Sequence, residues 1–186
     1  MSENIWKSSA KEFQKLRVIV VCGMFGALGI VLDYVGTIRI TPYLRIGLAD
    51  MPNRTVDYLF GPVVGCIFGG AMDIIKFILH PDGTFFLGYT LSAMAAPLIF
   101  GALNYRKKLS IWRVLLAEVL IKVIVNLGMN TLWSAILYQK AIMAILPARI
   151  VSNAIQLPVD TLVIWLLMNA VTRVMKSGGL SFDERS

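Results

Sequence analysis

Residues Leu44–Phe60 read LRIGLADMPNRTVDYLF, and the reading of this one polar stretch decides the fold. Around it lie five apolar runs: roughly Val18–Val35, Pro62–Leu79, Phe85–Leu103, Val114–Leu137 and Ile150–Val171. Each is long enough, or nearly so, for a bilayer that needs about 20 apolar residues. Basic residues collect between the runs. Lys7, Lys11, Lys15 and Arg17 precede the first; Arg106, Lys107, Lys108 and Arg113 stand between two later ones; Arg173 and Lys176 follow the last. Basic residues near span ends tend to stay on the cytoplasmic side, so the chain has to cross an even number of times between clusters. Five spans alone put Arg106–Arg113 outside. An additional crossing at Leu44–Phe60 puts all three clusters inside. That stretch carries Arg45, Asp50, Asn53, Arg54 and Asp57, which a membrane tolerates when the charged face lines a protein interior or a cavity. The expectation is an all-α, polytopic membrane protein: a bundle of six transmembrane helices with both termini cytoplasmic. A cytoplasmic amphipathic segment at 1–17 precedes the membrane domain at 18–175, and a cytoplasmic tail at 176–186 follows it.

Composition agrees. Of 186 residues, 57% are hydrophobic and only 16% charged, too apolar for an ordinary soluble domain. The net charge of +7 could suggest nucleic acid, but the basic residues flank apolar runs and form no stripe with interleaved aromatics. A cleavable signal peptide is not expected, because the first 16 residues are polar and no small-residue cleavage site follows. Cys22 and Cys66 both fall in apolar stretches and read as packing residues rather than a disulfide or metal pair. Gly61-Pro62 reads as an inner turn, and His80-Pro81-Asp82-Gly83 as an outer one, with His80 a solvated turn residue. Pro147 is expected to open the sixth span.

With that topology the outer half of the bundle collects most of the polar side chains. Asp73 lies seven residues before His80, about 10 Å below the outer rim. Phe85, Phe86, Tyr89, Thr90 and Ser92 open the fourth span. Asn126, Asn130 and Trp133 close the fifth, and Arg149, Asn153 and Gln156 open the sixth. Arg39, Tyr43 and Arg45 follow the first span, and Gly36–Arg45 is the candidate lid. Each residue also has a structural reading. Asp73 and Lys76, or Glu118 and Lys122, could neutralise one another at helical spacing; the asparagines could bond neighbouring helices; Trp133 and Tyr138 could belong to an interfacial belt; Arg149 could snorkel. Their common depth argues for a pocket open to the outside. A buried carboxylate there suits adjacent N–H donors of a heterocycle, aromatic walls suit its faces, and rim arginines suit an anionic tail.

Small residues form two smooth faces, Gly23 with Ala27 (Gly26 and Gly29 nearby), and Gly61, Gly65, Gly69 and Gly70. Such faces serve packing or the docking of a partner helix. The sequence holds no G-x-x-x-x-G-K-[ST] loop, no H-E-x-x-H and no G-x-S-x-G. Asp50, Asp57, Asp73 and Asp160 share no metal-like spacing, and no metal or cofactor is implied. A membrane enzyme acting on lipid or nucleotide head groups would want clustered carboxylates. An exporter or channel would want polar residues at both ends of the bundle.

The stretches Leu48–Leu79, Gly83–Leu103, Asn126–Tyr138 and Ala148–Val159 resemble the S components of energy-coupling factor (ECF) vitamin transporters, most closely their folate-specific type. Gly61-Pro62, then Asp73, then Phe85-Phe86-x-Gly88-Tyr89-Thr90, then Asn130-Thr131-Leu132-Trp133 carry the likeness. The resemblance implies a six-helix, non-catalytic subunit of a bacterial cell membrane. It would capture folate outside and associate with a T component and two cytoplasmic ATPases, with no nucleic acid involved. It also implies substrate contacts at Asp73, Asn130, Trp133 and Arg149, joined by Asn126, Tyr89, Phe85 and Arg45 on chemical grounds. Helix-one docking of the T component would fall on Gly23 and Ala27, where the family's Ala-x-x-x-Ala reads Gly-x-x-x-Ala. A subunit for another vitamin, such as riboflavin or thiamine, is the nearest rival; the rim arginines count against thiamine.

Overall fold

The computed structural model describes residues 5–35, 37–41, 44–47, 50–81, 84–138 and 142–177. Helix α1 (Ile5–Glu12) precedes α2 (Leu16–Val35), and a hairpin of β1 (Thr37–Thr41) and β2 (Leu44–Gly47) leads to α3 (Met51–Phe60). Helices α4 (Pro62–Leu79) and α5 (Leu87–Asn104) follow. Next comes one continuous helical run: α6 (Ile111–Leu120), a π segment (Ile121–Met129) and α7 (Asn130–Tyr138); α8 (Ile142–Ser177) ends the bundle. Among the described residues four helices are long and apolar enough to cross a membrane: Leu16–Tyr34, Pro62–Leu79, Leu87–Asn104 and Arg149–Val174.

The bundle is all-helical as expected, and this short hairpin is a local addition to it. Thr37-Ile38-Arg39-Ile40-Thr41 alternates at period two and is rich in β-branched residues, a strand pattern rather than a helical one. Its strands pair antiparallel, Arg39 opposite Arg45. Leu44–Phe60 is therefore not one helix. Its α-helix is Met51–Phe60, about 15 Å of axis, half a bilayer. Pro52 in the first turn of α3 sets its start, because proline fits where backbone N–H groups have no helical partner. Pro147 does not open the last helix: α8 begins at Ile142 and carries Pro147 and Pro158 inside its 36 residues. The side chains of Arg39, Arg45 and Tyr138, the residues Tyr43, Asp82 and Gly83, and the tail from 178 lie outside the described residues.

Short α3 sits at the centre, packed against α2, α4, α5 and α8. Two apolar clusters flank it. Val56, Phe60, Val64, Phe68 and Met72 fill the side toward α2; Phe100, Val114, Ala117, Ile164 and Met168 fill the other. Gly61, at φ 89°, turns the chain sharply from α3 into α4. Having no side chain, it cannot cap α4, and α1 supplies the cap instead. Ser9 Oγ accepts from the N–H groups of Val63 and Val64 at 3.0 and 3.3 Å and donates to the Phe60 carbonyl at 2.7 Å. So α1 turns its serine face inward and leaves Trp6 exposed. A Cβ on Gly69 would lie 2.5 Å from the Ala93 carbonyl oxygen, and one on Gly101 2.6 Å from Pro62 N, so α4 and α5 meet almost backbone to backbone. On α2, Gly26 faces Phe68 and Met72, whereas Gly23 and Ala27 are exposed and a Cβ on Gly23 meets nothing within 4 Å.

Candidate functional site

A cavity of about 420 Å³ opens between α3, α4, α5, the π-bearing helix and α8, within the size range of small-molecule sites. Its α4–α5 side presents Asp73, whose Oδ2 accepts from Thr90 Oγ1 at 2.7 Å, together with Lys76 and Tyr89. Its opposite wall is built by Ile111–Tyr138. Along this run Glu118, Lys122, Asn126, Asn130 and Ser134 recur every four residues. In an α-helix of 3.6 residues per turn such a row drifts by about 40° per step. The wider π turn, closed by i→i+5 bonds, takes up that drift and keeps Lys122, Asn126 and Asn130 on the cavity.

The Asn126–Ser134 part of this wall is a connected polar network. Asn130 Nδ2 donates to Asn126 Oδ1 at 3.3 Å, and Asn126 Nδ2 donates to Asn153 Oδ1 at 3.1 Å. Arg149 donates to the Asn126 carbonyl at 3.3 Å and to Ser134 Oγ at 2.6 Å. Ser134 donates to the Asn130 carbonyl at 2.8 Å; its one proton is thereby used, so Tyr89 OH, 2.8 Å away, is the donor to it. Trp133 Nε1 donates to Ser92 Oγ at 3.1 Å, and its ring lies 5.7 Å from that of Phe86.

Elsewhere on the cavity the charges pair across helices. Lys122 Nζ meets Asp160 Oδ2 at 2.7 Å. Arg54 stands between two carboxylates, Nε 3.0 Å from Glu118 Oε1 and Nη1 3.4 Å from Asp57 Oδ2, with its guanidinium 5.3 Å from the centre of the Phe100 ring. The Glu118 contact is coulombic rather than a hydrogen bond, since Oε1 has no donor directed at it. Glu118 and Lys122 thus do not neutralise one another as their spacing suggests; each takes a partner from elsewhere in the chain. Among the described residues no group of three or more His, Cys, Asp or Glu could hold a metal ion.

Of the residues expected to form the site, Asp73, Tyr89, Asn126 and Asn130 line the cavity. Trp133 and Arg149 stand behind it, holding Ser92, Ser134 and the Asn126 carbonyl. Phe85 is exposed and packs on Phe77 at 5.0 Å, not on the cavity. The side chain of Arg45 lies outside the described residues. Sequence reasoning missed Asn53, Arg54, Glu118, Lys122 and Asp160, all of which line the cavity. The signal for two of them was present: the four-residue row containing Asn126 and Asn130 runs back through Lys122 and Glu118.

Comparison with known proteins gives a consistent picture. A family model described as "ECF transporter, substrate-specific component" matches residues 17–168. The folate transporter FolT of Clostridium novyi (strain NT) is 37% identical over 161 residues, 87% of this chain and 93% of that protein. The folate transporter FolT of Leuconostoc mesenteroides is 29% identical over 165 residues, 84% and 88% of the two chains. A crystal structure of FolT bound with folic acid superposes with a TM-score of 0.76 at 26% identity, covering 84% of this chain and 95% of that one. The chain is a multi-pass membrane transport subunit rather than an enzyme, and it belongs to the substrate-specific components of ECF transporters.

Proposed function

We propose that this subunit captures folate from outside the cell for ATP-driven uptake across a bacterial cell membrane, with a T component and two cytoplasmic ATPases supplying the energy. The observation that carries the reading is the acceptor character of the cavity. Among the described residues Asn53 Oδ1 and Asn130 Oδ1 are buried without a hydrogen-bond donor, Glu118 Oε1 has only its ion pair with Arg54, and Asp73, bonded by Thr90, adds a second carboxylate. Buried acceptors left unpaired are unfavourable by about 1–3 kcal/mol each, a deficit that a ligand bearing N–H groups removes. The pterin ring of folate carries adjacent N–H donors on a flat heterocycle. Lys76 adds a cation for the anionic tail, and Arg149 and Trp133 hold the wall that the ligand meets. The two relatives named for folate transport, and the fold shared with a folic-acid complex, support the same ligand.

The six-crossing topology with cytoplasmic termini is part of this proposal. Arg106 reaches Glu12 at 3.9 Å and Tyr105 OH lies 3.5 Å from Ser8 Oγ, so the first two basic clusters sit at one end of the bundle, which supports an even number of crossings between them. Half-length α3 and the hairpin before it would share the second crossing. Exposed Gly23 and Ala27 would receive the T component. Calorimetry on the purified protein in detergent tests the substrate, with riboflavin and thiamine as controls. Folate alone binds, and Asp73→Asn weakens it at least about tenfold, the worth of one charge-assisted hydrogen bond. Binding of a control vitamin instead would redirect the assignment to another member of the family.

A further inference from the structure

The polar cluster around Arg54 at the cavity does more than balance charge. Arg54 faces two carboxylates with one guanidinium, and three oxygens of this cluster, Asn53 Oδ1, Asp57 Oδ1 and Glu118 Oε1, have no hydrogen-bond donor among the described residues. Asp57 is fully buried and turned toward α4, where a Cβ on Gly65 would overlap its Oδ1. Glu118 and Asn53 instead line the cavity, and the Glu118 side chain is only 4% exposed. Arg54, fixed by Asp57 and the Phe100 ring, keeps Glu118 in place without satisfying it. On the other wall Asp73 already holds a donor, Thr90.

We propose that Glu118 and Asn53 form the edge that reads the 2-amino and N3–H donors of the ligand's ring, so that the ring lies at the Arg54 side of the cavity. This deepens the folate reading and rests on it. A carboxylate opposite two parallel N–H donors can accept both, as it does from a guanidinium. Arg54 beside it offers the complementary donor for the ring's 4-oxo group. Asp73, which already accepts from Thr90 on the other wall, then meets a donor of the ligand beyond the 2-amino and N3–H edge.

A chemical double-mutant cycle tests the assignment. The probes are folic acid and an analogue whose 2-amino group is replaced by methyl, titrated into the full-length protein in detergent. Wild type prefers folic acid by about tenfold or more. Glu118→Met keeps length without an acceptor and leaves Arg54 its Asp57 partner; in it the preference collapses toward one. Asn53→Leu, which leaves the Arg54 ion pairs intact, narrows the preference by a smaller factor and serves if Glu118→Met does not fold. A full preference retained in both variants overturns the inference, whereas a wild type that binds no folic acid overturns the folate reading itself.

Discussion

The α4–α5 seam and the wall formed by Ile111–Tyr138 are built from similar apolar helices, yet they use their exceptional residues in opposite ways. In the seam, Gly69 lies under the Ala93 carbonyl and Gly101 under Pro62, with no room for a methyl group. The glycines bring two backbones together and leave a dry contact. In the wall, a glycine does nothing of the kind: a Cβ on Gly128 would sit 3.5 Å from the Val123 carbonyl, an ordinary contact. There the exceptional feature is the π turn, which exchanges i→i+4 for i→i+5 hydrogen bonds and so holds a polar row on the cavity. The seam fixes how far apart the walls stand, and the polar row decides what fits between them. A substitution in the first therefore acts on stability, and one in the second on stability only where it strands a charge.

Stranding a charge gives the largest expected effect. Lys122 is 7% exposed at its side chain and paired with Asp160 at 2.7 Å. Lys122→Met leaves that carboxylate partly buried and unpaired, which destabilises by about 3–5 kcal/mol. Thermal unfolding in detergent, followed by tryptophan fluorescence, then shows a Tm lower by on the order of 10 °C. Adding Asp160→Leu recovers most of the loss, because the charge to be solvated is gone. A double variant as unstable as the single one would show that the pair holds the wall by geometry rather than by charge.

Next comes the seam. Gly69→Ala forces a methyl group against backbone and destabilises by about 1–3 kcal/mol, whereas Gly128→Ala changes stability by no more than about 1 kcal/mol. The same unfolding measurement separates them, and equal losses at the two positions would erase the distinction between seam and wall. A smaller effect is expected at Ser134, which joins Tyr89, Arg149 and the Asn130 carbonyl from behind the cavity. Ser134→Ala loosens Tyr89 and Asn130 without touching ligand, and lowers folate affinity by about fivefold to tenfold. Titration at constant temperature reads this directly, and an unchanged affinity would show that the wall keeps its shape without the hydroxyl.

The contrast also explains what the sequence made legible. The seam is local: Gly61-Pro62, the glycine spacing and uninterrupted hydropathy are all read within one helix length, and α4 has the bounds expected of it, Pro62–Leu79. The cavity lining was half visible, since Asp73 and Tyr89 on one side and Asn126 and Asn130 on the other were expected at a common depth. What stayed hidden depended on partners distant in the chain. Glu118 and Lys122 satisfy a local i,i+4 rule, and only the fold reveals Arg54 and Asp160 as their partners. The hairpin was hidden for a different reason: the charge-parity argument requires a crossing between α2 and α4 but carries no information on its secondary structure. Phe85 was drawn into the site by its neighbours Phe86 and Tyr89, although adjacent residues at the mouth of a helix point different ways.

The smallest expected change in stability is at Gly23, and it extends the comparison to the protein's outer surface. Gly26, one turn further along α2, packs like a seam glycine: a Cβ there would lie 3.1 Å from the Met72 sulfur. Gly23 touches nothing, and exposed Val20, Met24, Ala27, Leu28 and Val31 surround it. Gly23→Leu should leave the unfolding temperature of the isolated subunit and its affinity for folate unchanged, to within about 1 kcal/mol. On the docking role proposed for Gly23 and Ala27, it should nevertheless abolish folate uptake by vesicles containing the complete transporter. A close approach of helices that a bare glycine permits is blocked by an isobutyl side chain. Uptake at the wild-type rate by Gly23→Leu would mean that this face meets only lipid, and that a helix face smooth enough to dock a partner can be left without one.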